Sequence, residues 1–239
     1  MLETMNPEAL ARLRSVLQTH VDQGLLPGAV ALVHHRGQTV LHEAVGHQRP
    51  PSAETATPAM APDTVFRIYS MTKPIASLVA MMLMEEGRLL LSHPVARYLP
   101  AFAAQQVYDP ATGATTPAPR EATVHDLLRH TAGLSYAWDL GTVPDAYRAA
   151  RIGSRRHNNT KLAAALGPLP LVHAPGTCWE YSRATDVLGA VLEVIEGEPL
   201  GAILQRRVFG PLGMHDTGFS VPAAQQHRLA EPFALDPQT

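Results

Sequence analysis

The stretch Phe66-Arg67-Ile68-Tyr69-Ser70-Met71-Thr72-Lys73-Pro74-Ile75 decides how this chain is read, because it sets a hydroxyl and an amine three positions apart at the head of a long apolar run. On a helix, positions i and i+3 share a face. With Ser70 in the first turn, its hydroxyl and the Lys73 ammonium come within hydrogen-bond reach, the arrangement a serine nucleophile requires of its base. The chain has only two lysines, Lys73 and Lys161, among 19 Lys and Arg. Arginine keeps its proton in proteins whereas a desolvated lysine can release it, so the residue type at 73 suits a proton acceptor. A structural reading competes: Ser70 as an N-cap, Lys73 as a solvated helix residue and Pro74 as an early helical position.

At 239 residues with 46% hydrophobic side chains and a formal charge of −2, the chain has room for one large domain or two modest ones with a real core. No block of like charge points to nucleic acid or to an anionic membrane. The apolar run Ile75 to Met84 is too short to cross a bilayer and is closed by Glu85 and Glu86. Residues 1–24 are amphipathic and charged, unlike a secretion signal. The single cysteine, Cys178, excludes an intramolecular disulfide, fits a reducing compartment, and reads as a buried or half-buried small residue without a base nearby. The expectation is a cytoplasmic protein.

Along the chain, Asn6-Pro7-Glu8 starts a helix on which Leu10, Leu13, Leu17 and Val21 recur at helical spacing until Gly24. Runs 29–35 and 38–45, rich in Val and Leu around Arg36-Gly37, read as a β-hairpin. Ile75, Leu78, Val79, Met81, Met82, Leu83 and Met84 cover nearly every side of the next helix, which predicts burial all round. Residues 103–120, poor in large apolar side chains, read as a surface excursion. Thr123-Val124-His125-Asp126 has capping-box spacing and opens a short helix that Gly133 ends. A broken helix is expected over 148–166, a strong one over 182–196 ended by Gly197, and one more over 200–208. The fold class is therefore α+β: residues 1–66 supply an N-terminal helix and hairpin of an incomplete antiparallel sheet, 67–222 a mainly helical part with the nucleophile, and 223–239 the start of a return to the sheet.

Other constellations carry less. In His42-Glu43-Ala44-Val45-Gly46-His47 the histidines are five apart rather than four, on a strand, where they face opposite ways; no metal site and no cofactor are expected. His130, close to Gly133, reads as a structural cation at a helix end. No Gly-x-Ser-x-Gly elbow occurs. Trp179, beside Tyr181, reads equally as an acyl-pocket wall or as packing.

Taken in order, Phe66-Arg67-Ile68 before Ser70-Met71-Thr72-Lys73, Gly87-Arg88-Leu89, Pro94-Val95, Tyr98-Leu99-Pro100, Leu127-Leu128-Arg129-His130-Thr131-Ala132-Gly133-Leu134, Pro175-Gly176 before Tyr181-Ser182, and Pro211-Leu212-Gly213-Met214 ahead of Thr217 resemble the serine β-lactamase-like hydrolases of the class C type. That group includes D-alanyl-D-alanine carboxypeptidases and β-lactamase-fold carboxylesterases. The resemblance implies a β-lactamase/transpeptidase-like fold, Ser70 as the nucleophile of an acyl-enzyme, Lys73 as its activator, and Tyr181 as the residue that relays or accepts the proton. It also implies that the Ser70 N–H forms half of an oxyanion hole, a donor whose loss costs about 10²–10³ in turnover. Tyr69, Trp179 and Arg183 are the candidate substrate contacts.

Two departures shape the functional expectation. Arg183 stands where the family's Tyr-x-Asn motif has its amide, which tilts the reading toward an esterase-like hydrolase of a small-molecule ester or amide, with a β-lactamase or D-Ala-D-Ala carboxypeptidase as the alternative. No Lys-Thr-Gly, His-x-Gly or Trp-Gly-Gly equivalent follows Tyr181, so the chain reads as the first two-thirds of such an enzyme. A non-enzymatic alternative follows from that: a truncated, inactive homologue whose unfinished sheet edge pairs with another chain or with itself as a homo-oligomer.

Overall fold

Asn6 starts the first helix by accepting the Glu8 N–H on its side chain at 2.9 Å, with Pro7 next to it at a position where a missing N–H is harmless. The computed structural model describes residues 6–50, 56–154 and 156–233. They divide into two units, one formed by residues up to 68 together with those from 218 on, the other by 69–217.

In the first unit, helix α1 (Pro7–Asp22) lies against a hairpin of β1 (Gly28–His35) and β2 (Gln38–Gly46). Arg36 and Gly37 both have positive φ, 50° and 80°, the backbone of a tight hairpin turn. The register pairs Val33 with Leu41 and then His34 with Thr39, so the ladder slips by one residue before the turn. None of the α1 residues is fully buried, and Leu13 of the periodic face remains exposed. The returning segment closes this unit: Val65 bridges Leu229 in parallel, and Arg67 grips the Glu231 carboxylate with two hydrogen bonds of 2.7 and 3.0 Å.

The second unit holds most of the core. Its helices are α2 (Thr72–Glu85), α3 (Val124–Leu128), α4 (Thr142–Ala149), α5 (Asn159–Leu166), α6 (Ala184–Glu196) and α7 (Leu200–Leu204), which widens into a π-helical turn over Gln205–Phe209. Helix α6 is the hub: Ala184, Val187, Leu188, Ala190, Val191 and Leu192 are buried, and α2, α3, α5 and α7 pack on it. Gly197, at φ 74°, ends it in the left-handed conformation that costs glycine nothing. The capping box at Thr123 forms, with the Asp126 amide bonded to the Thr123 hydroxyl and the Asp126 carboxylate returning to the Thr123 amide.

Four expectations change. Helix α2 buries one stripe, Ala76, Val79, Ala80 and Leu83, while Leu78 and Met81 are 46% and 37% exposed; an all-apolar pattern names no face, and packing on α6 chose one. The 103–120 excursion contains a second hairpin, β3 (Gln106–Tyr108) with β4 (Thr115–Pro117), stitched to the distant Leu171 by Tyr108 N–H to Leu171 O at 2.9 Å and Leu171 N–H to Gln106 O at 2.8 Å. The first part of the broken helix, α4, begins at Thr142 rather than 148. Helix α3 ends before Arg129, well short of Gly133, whose φ of 78° serves a close approach instead: a Cβ there would sit 2.1 Å from the His173 carbonyl oxygen. Among the described residues both sheets are two-stranded and antiparallel, and the architecture is the expected α+β.

Candidate active site

Ser70 occupies a 3-10 turn, Tyr69–Met71, that runs into the first residues of α2. It does not cap the helix, whose N-cap is Met71 without a side-chain bond. Tyr69 has φ 42°, a conformation costly for a bulky side chain, and this kink sets the Ser70 hydroxyl above the helix start. The i, i+3 spacing then works as the geometry of helices dictates: Lys73 Nζ donates to Ser70 Oγ at 3.1 Å.

The third group arrives from 111 positions downstream, with Tyr181 Oη hydrogen-bonded to Ser70 Oγ at 2.6 Å. Two antiparallel-like segments carry it there. Residues 130–135 accept amides from the 172–183 segment, through Thr131 O to Gly176 N–H at 2.7 Å, Gly133 O to Val172 N–H at 2.8 Å and His130 O to Glu180 N–H at 2.8 Å. Asp126 anchors the first of these segments. Its buried carboxylate takes both ends of Arg120, at 2.7 and 2.9 Å, and the Thr131 hydroxyl at 2.9 Å.

The electrostatics of the three groups are linked. Hydrogen bonding to Lys73, and then to Ser70, holds the Tyr181 phenol below its ordinary value. Burial alone draws the Lys73 ammonium down, but hydrogen bonds to Tyr181 and Tyr136 together outweigh it and the net shift is upward. Lys73 therefore stays a cation near neutral pH. With two phenols facing it, the amine is a charge that favours a phenolate, in keeping with its expected role as activator. Nζ also lies 4.7 Å from the Tyr181 ring centroid.

The remaining expected contacts fall unevenly. Trp179 is 67% exposed, with its ring 6.2 Å from Tyr181 and 6.3 Å from His130. Arg183, at the N-terminus of α6, pairs with Asp186 at 3.3 Å and lies over Tyr136 and Trp138 at 5.1 and 5.7 Å from their centroids, so its guanidinium is taken up by that stack. Tyr69 is 73% exposed beside the nucleophile. Cys178 is exposed, contrary to expectation, on the loop leading to Tyr181. His42 and His47 form no metal cluster: among the described residues no group of three or more His, Cys, Asp or Glu is placed to hold an ion. No helix of the described residues is long and apolar enough to cross a membrane.

Sequence reasoning missed Tyr136 and the contact of His130 with the Tyr181 segment. Tyr136, 4% exposed, faces Lys73 and stacks on Trp138 with centroids 3.8 Å apart. Nothing in local spacing ties position 136 to 73; the only cue was an aromatic pair, Tyr136 and Trp138, just past the His130-to-Leu134 motif. His130 does stand at a helix end, directly past the Arg129 C-cap of α3 with φ 56°, but its surroundings disfavour the cation. Burial first, and then the Lys73 charge, push its imidazole below the ordinary value.

Similarity to known proteins agrees with this geometry. An uncharacterised protein of Mycobacterium tuberculosis is 42% identical over 221 residues, covering 91% of this chain and 53% of that protein. Esterase EstB of Burkholderia gladioli is 37% identical over 227 residues, 93% of this chain and 54% of its own. The solved structure of EstCE1, described as a hydrolase with promiscuous acyltransferase activity, superposes at a TM-score of 0.79 with 31% identity, over 95% of this chain and 60% of that one. The chain thus spans about half the length of the curated relatives it matches. The family description "Beta-lactamase" fits residues 13–238. A match running over nearly the whole chain, on a fold shared this closely, makes the chain a member of the beta-lactamase family.

Proposed function

We propose that the chain carries the acylation half-site of a serine esterase. The observation that carries this reading is the single oxygen, Ser70 Oγ, held at 2.6 Å from a phenol and 3.1 Å from an ammonium. The Tyr181 phenolate, favoured by Lys73, takes the Ser70 proton as Oγ bonds to the ester carbonyl carbon. The proton passes from Tyr181 to the departing alcohol as the carbonyl–oxygen bond breaks, leaving an acyl-Ser70. Water, deprotonated in turn by Tyr181, then attacks the acyl carbon; the acid leaves and Ser70 Oγ regains its proton. A positioned general base of this kind contributes about 10²–10⁴-fold.

Ester rather than lactam chemistry is supported by Arg183, whose engagement with Asp186, Tyr136 and Trp138 leaves no amide where the lactam-processing members have one. The exposed rings of Tyr69, next to Ser70 in the chain, and of Trp179, 6.2 Å from the Tyr181 ring, are apolar contacts for the acyl or alcohol group. The substrate is a small-molecule ester, and the exposed lone thiol of Cys178 suits the reducing cytoplasm. The promiscuous acyltransferase activity of EstCE1 supports a second outcome for the acyl-enzyme, transfer to an alcohol in place of water.

Fluorophosphonate labelling with the adduct located by mass spectrometry tests the proposal, alongside turnover of p-nitrophenyl butyrate and nitrocefin. Modification of Ser70 and faster ester turnover are expected. A folded protein that stays unlabelled at Ser70 removes the hydrolase reading, and faster nitrocefin turnover moves it to a β-lactamase.

A further inference from the structure

His130 holds both flanks of Tyr181 at once. Its carbonyl accepts the Glu180 N–H at 2.8 Å, and its ring Nδ1 accepts the Ser182 N–H at 3.2 Å. One residue thus fastens the amides immediately before and after the one that carries the phenol. Its ring lies against the Tyr181 ring with centroids 4.8 Å apart, and its edge meets Trp179 at 6.3 Å. Carbonyl and side chain can both reach the same segment because His130 has φ 56°. Among non-glycine residues, Asn, Asp and His are the ones enriched in that left-handed region.

We propose that His130 is a positioning residue for Tyr181, a clamp whose neutral imidazole fixes where the phenol oxygen sits relative to Ser70. The inference rests on the base role given to Tyr181 above. Nδ1 accepts the Ser182 N–H only while it carries no proton, so the clamp uses the tautomer with its hydrogen on Nε2. The surroundings favour that state. Burial and the Lys73 ammonium disfavour the imidazolium, against the opposing pull of Asp186 from α6, and the Tyr181 ring packs on the imidazole. Protonation converts Nδ1 from acceptor to donor, releases the Ser182 amide and sets a second cation beside Lys73. Acid pH therefore loosens the segment that presents the phenol.

Two substitutions separate a clamp from mere filling of space. His130→Asn tolerates the left-handed backbone and carries Oδ1 as many bonds from Cβ as Nδ1, so it keeps an acceptor without a titrating ring. His130→Gly tolerates the same backbone and keeps no acceptor. Amide hydrogen exchange on the full chain at neutral pH, with melting curves of each variant, reads the clamp directly. Ser182 is expected to exchange about tenfold faster in the Gly variant and within about threefold of wild type in the Asn variant, while Glu180 stays protected in all three. In p-nitrophenyl ester turnover the Gly variant is expected to lose about 10–100-fold in kcat at little changed KM, with the Asn variant restoring most of it. Below the imidazole pKa, wild-type Ser182 exchanges faster than Ser182 of the Asn variant at the same pH. If the Gly variant melts below the assay temperature, that acid comparison decides the question alone. Equal Ser182 exchange in all three proteins overturns the proposal, as does an unaltered kcat in a Gly variant whose Ser182 amide is released. The expected exchange pattern in a wild type without esterase activity removes the base role of Tyr181 and leaves the clamp standing.

Discussion

Tyr181 Oη and Ser70 Oγ lie 2.6 Å apart although 111 positions separate them in the chain. The contact joins a residue from the approach to α6 with one from the kinked start of α2, two helices that pack on each other in the core. Its removal should therefore cost chemistry and leave the core intact. Tyr181→Phe, at a side chain 37% exposed, is expected to change stability by no more than about 0.5 kcal/mol while lowering ester turnover by about 10²–10⁴-fold. Ser70→Ala should abolish fluorophosphonate labelling. Melting curves beside kcat measurements check both, and a Phe variant with wild-type kcat would refute the base role.

The pH dependence follows from the opposite shifts of the linked pair. Tyr181 is held below the ordinary phenol value by Lys73, and Lys73 is held above the ordinary ammonium value by the two phenols despite its burial. Activity should rise with pH as Tyr181 loses its proton, through an apparent pKa below about 10, and fall only above about 10.4 as Lys73 loses its own. Lys73→Met removes the charge that favours the phenolate. Its rising limb should move to higher pH, with kcat at neutral pH down at least about 100-fold. The kcat/KM profile of the two proteins is the measurement.

Which parts of this were legible in the sequence depends on how far apart the interacting residues lie. The hydroxyl–amine pair, the Thr123 capping box and the stop of α6 at Gly197 are local, and local spacing describes them. The hairpin at β3 and β4 was missed because three-residue strands carry no periodicity and are held by Leu171 from a remote loop. The all-apolar face of α2 could not say which side α6 would cover. Tyr136 and His130 owe their places to tertiary assembly: one stacks under Trp138 toward Lys73, the other needs the 180–182 segment before its ring has a partner. Tyr181 itself was found only through a family pattern, since no spacing rule ties it to Ser70.

Asp126 links the fold to the site. Its carboxylate is 1% exposed and accepts Arg120 twice, the Thr123 amide and hydroxyl, and the Thr131 hydroxyl, while Arg120 lies so close to Gly176 that a Cβ there would meet its guanidinium at 2.1 Å. Burial opposes the charge, but Arg120 and the Thr123 and Thr131 donors overcome it and hold the carboxyl well below the usual range. Asp126→Asn weakens this set, and because Arg120 is 43% exposed the cost is that of lost hydrogen bonds to a charged group, about 2 kcal/mol. At this chain length that is a fall of about 4–8 °C in melting temperature. Because Thr131 directly follows the His130 turn, the same variant should lose esterase activity while still folded. A melting temperature within about 2 °C of wild type would contradict the anchoring role.

Glu196 offers a test of the helical core away from the chemistry. At the C-terminal end of α6 its side chain is 3% exposed and meets Arg88, Arg206 and Arg207, the last at 2.8 Å, while Arg207 also holds Glu86 from the end of α2. The network therefore ties α2 and α6 to the turn after α7. Burial raises the carboxyl, but Arg207 and Arg206 outweigh it and bring it down to about 2. A depressed folded value means that stability is present above the unfolded value and is lost as pH falls through the folded one. Glu196→Gln is expected to cost about 2 kcal/mol at pH 7, by loss of hydrogen bonds to charged partners. The gap between the two proteins should hold down to the unfolded carboxyl value of about 4.3 and shrink as pH drops from there toward 2, where wild-type Glu196 is itself protonated. Denaturant midpoints across that range measure it. A gap that stays constant to pH 2 would show that the side chain acts through packing alone.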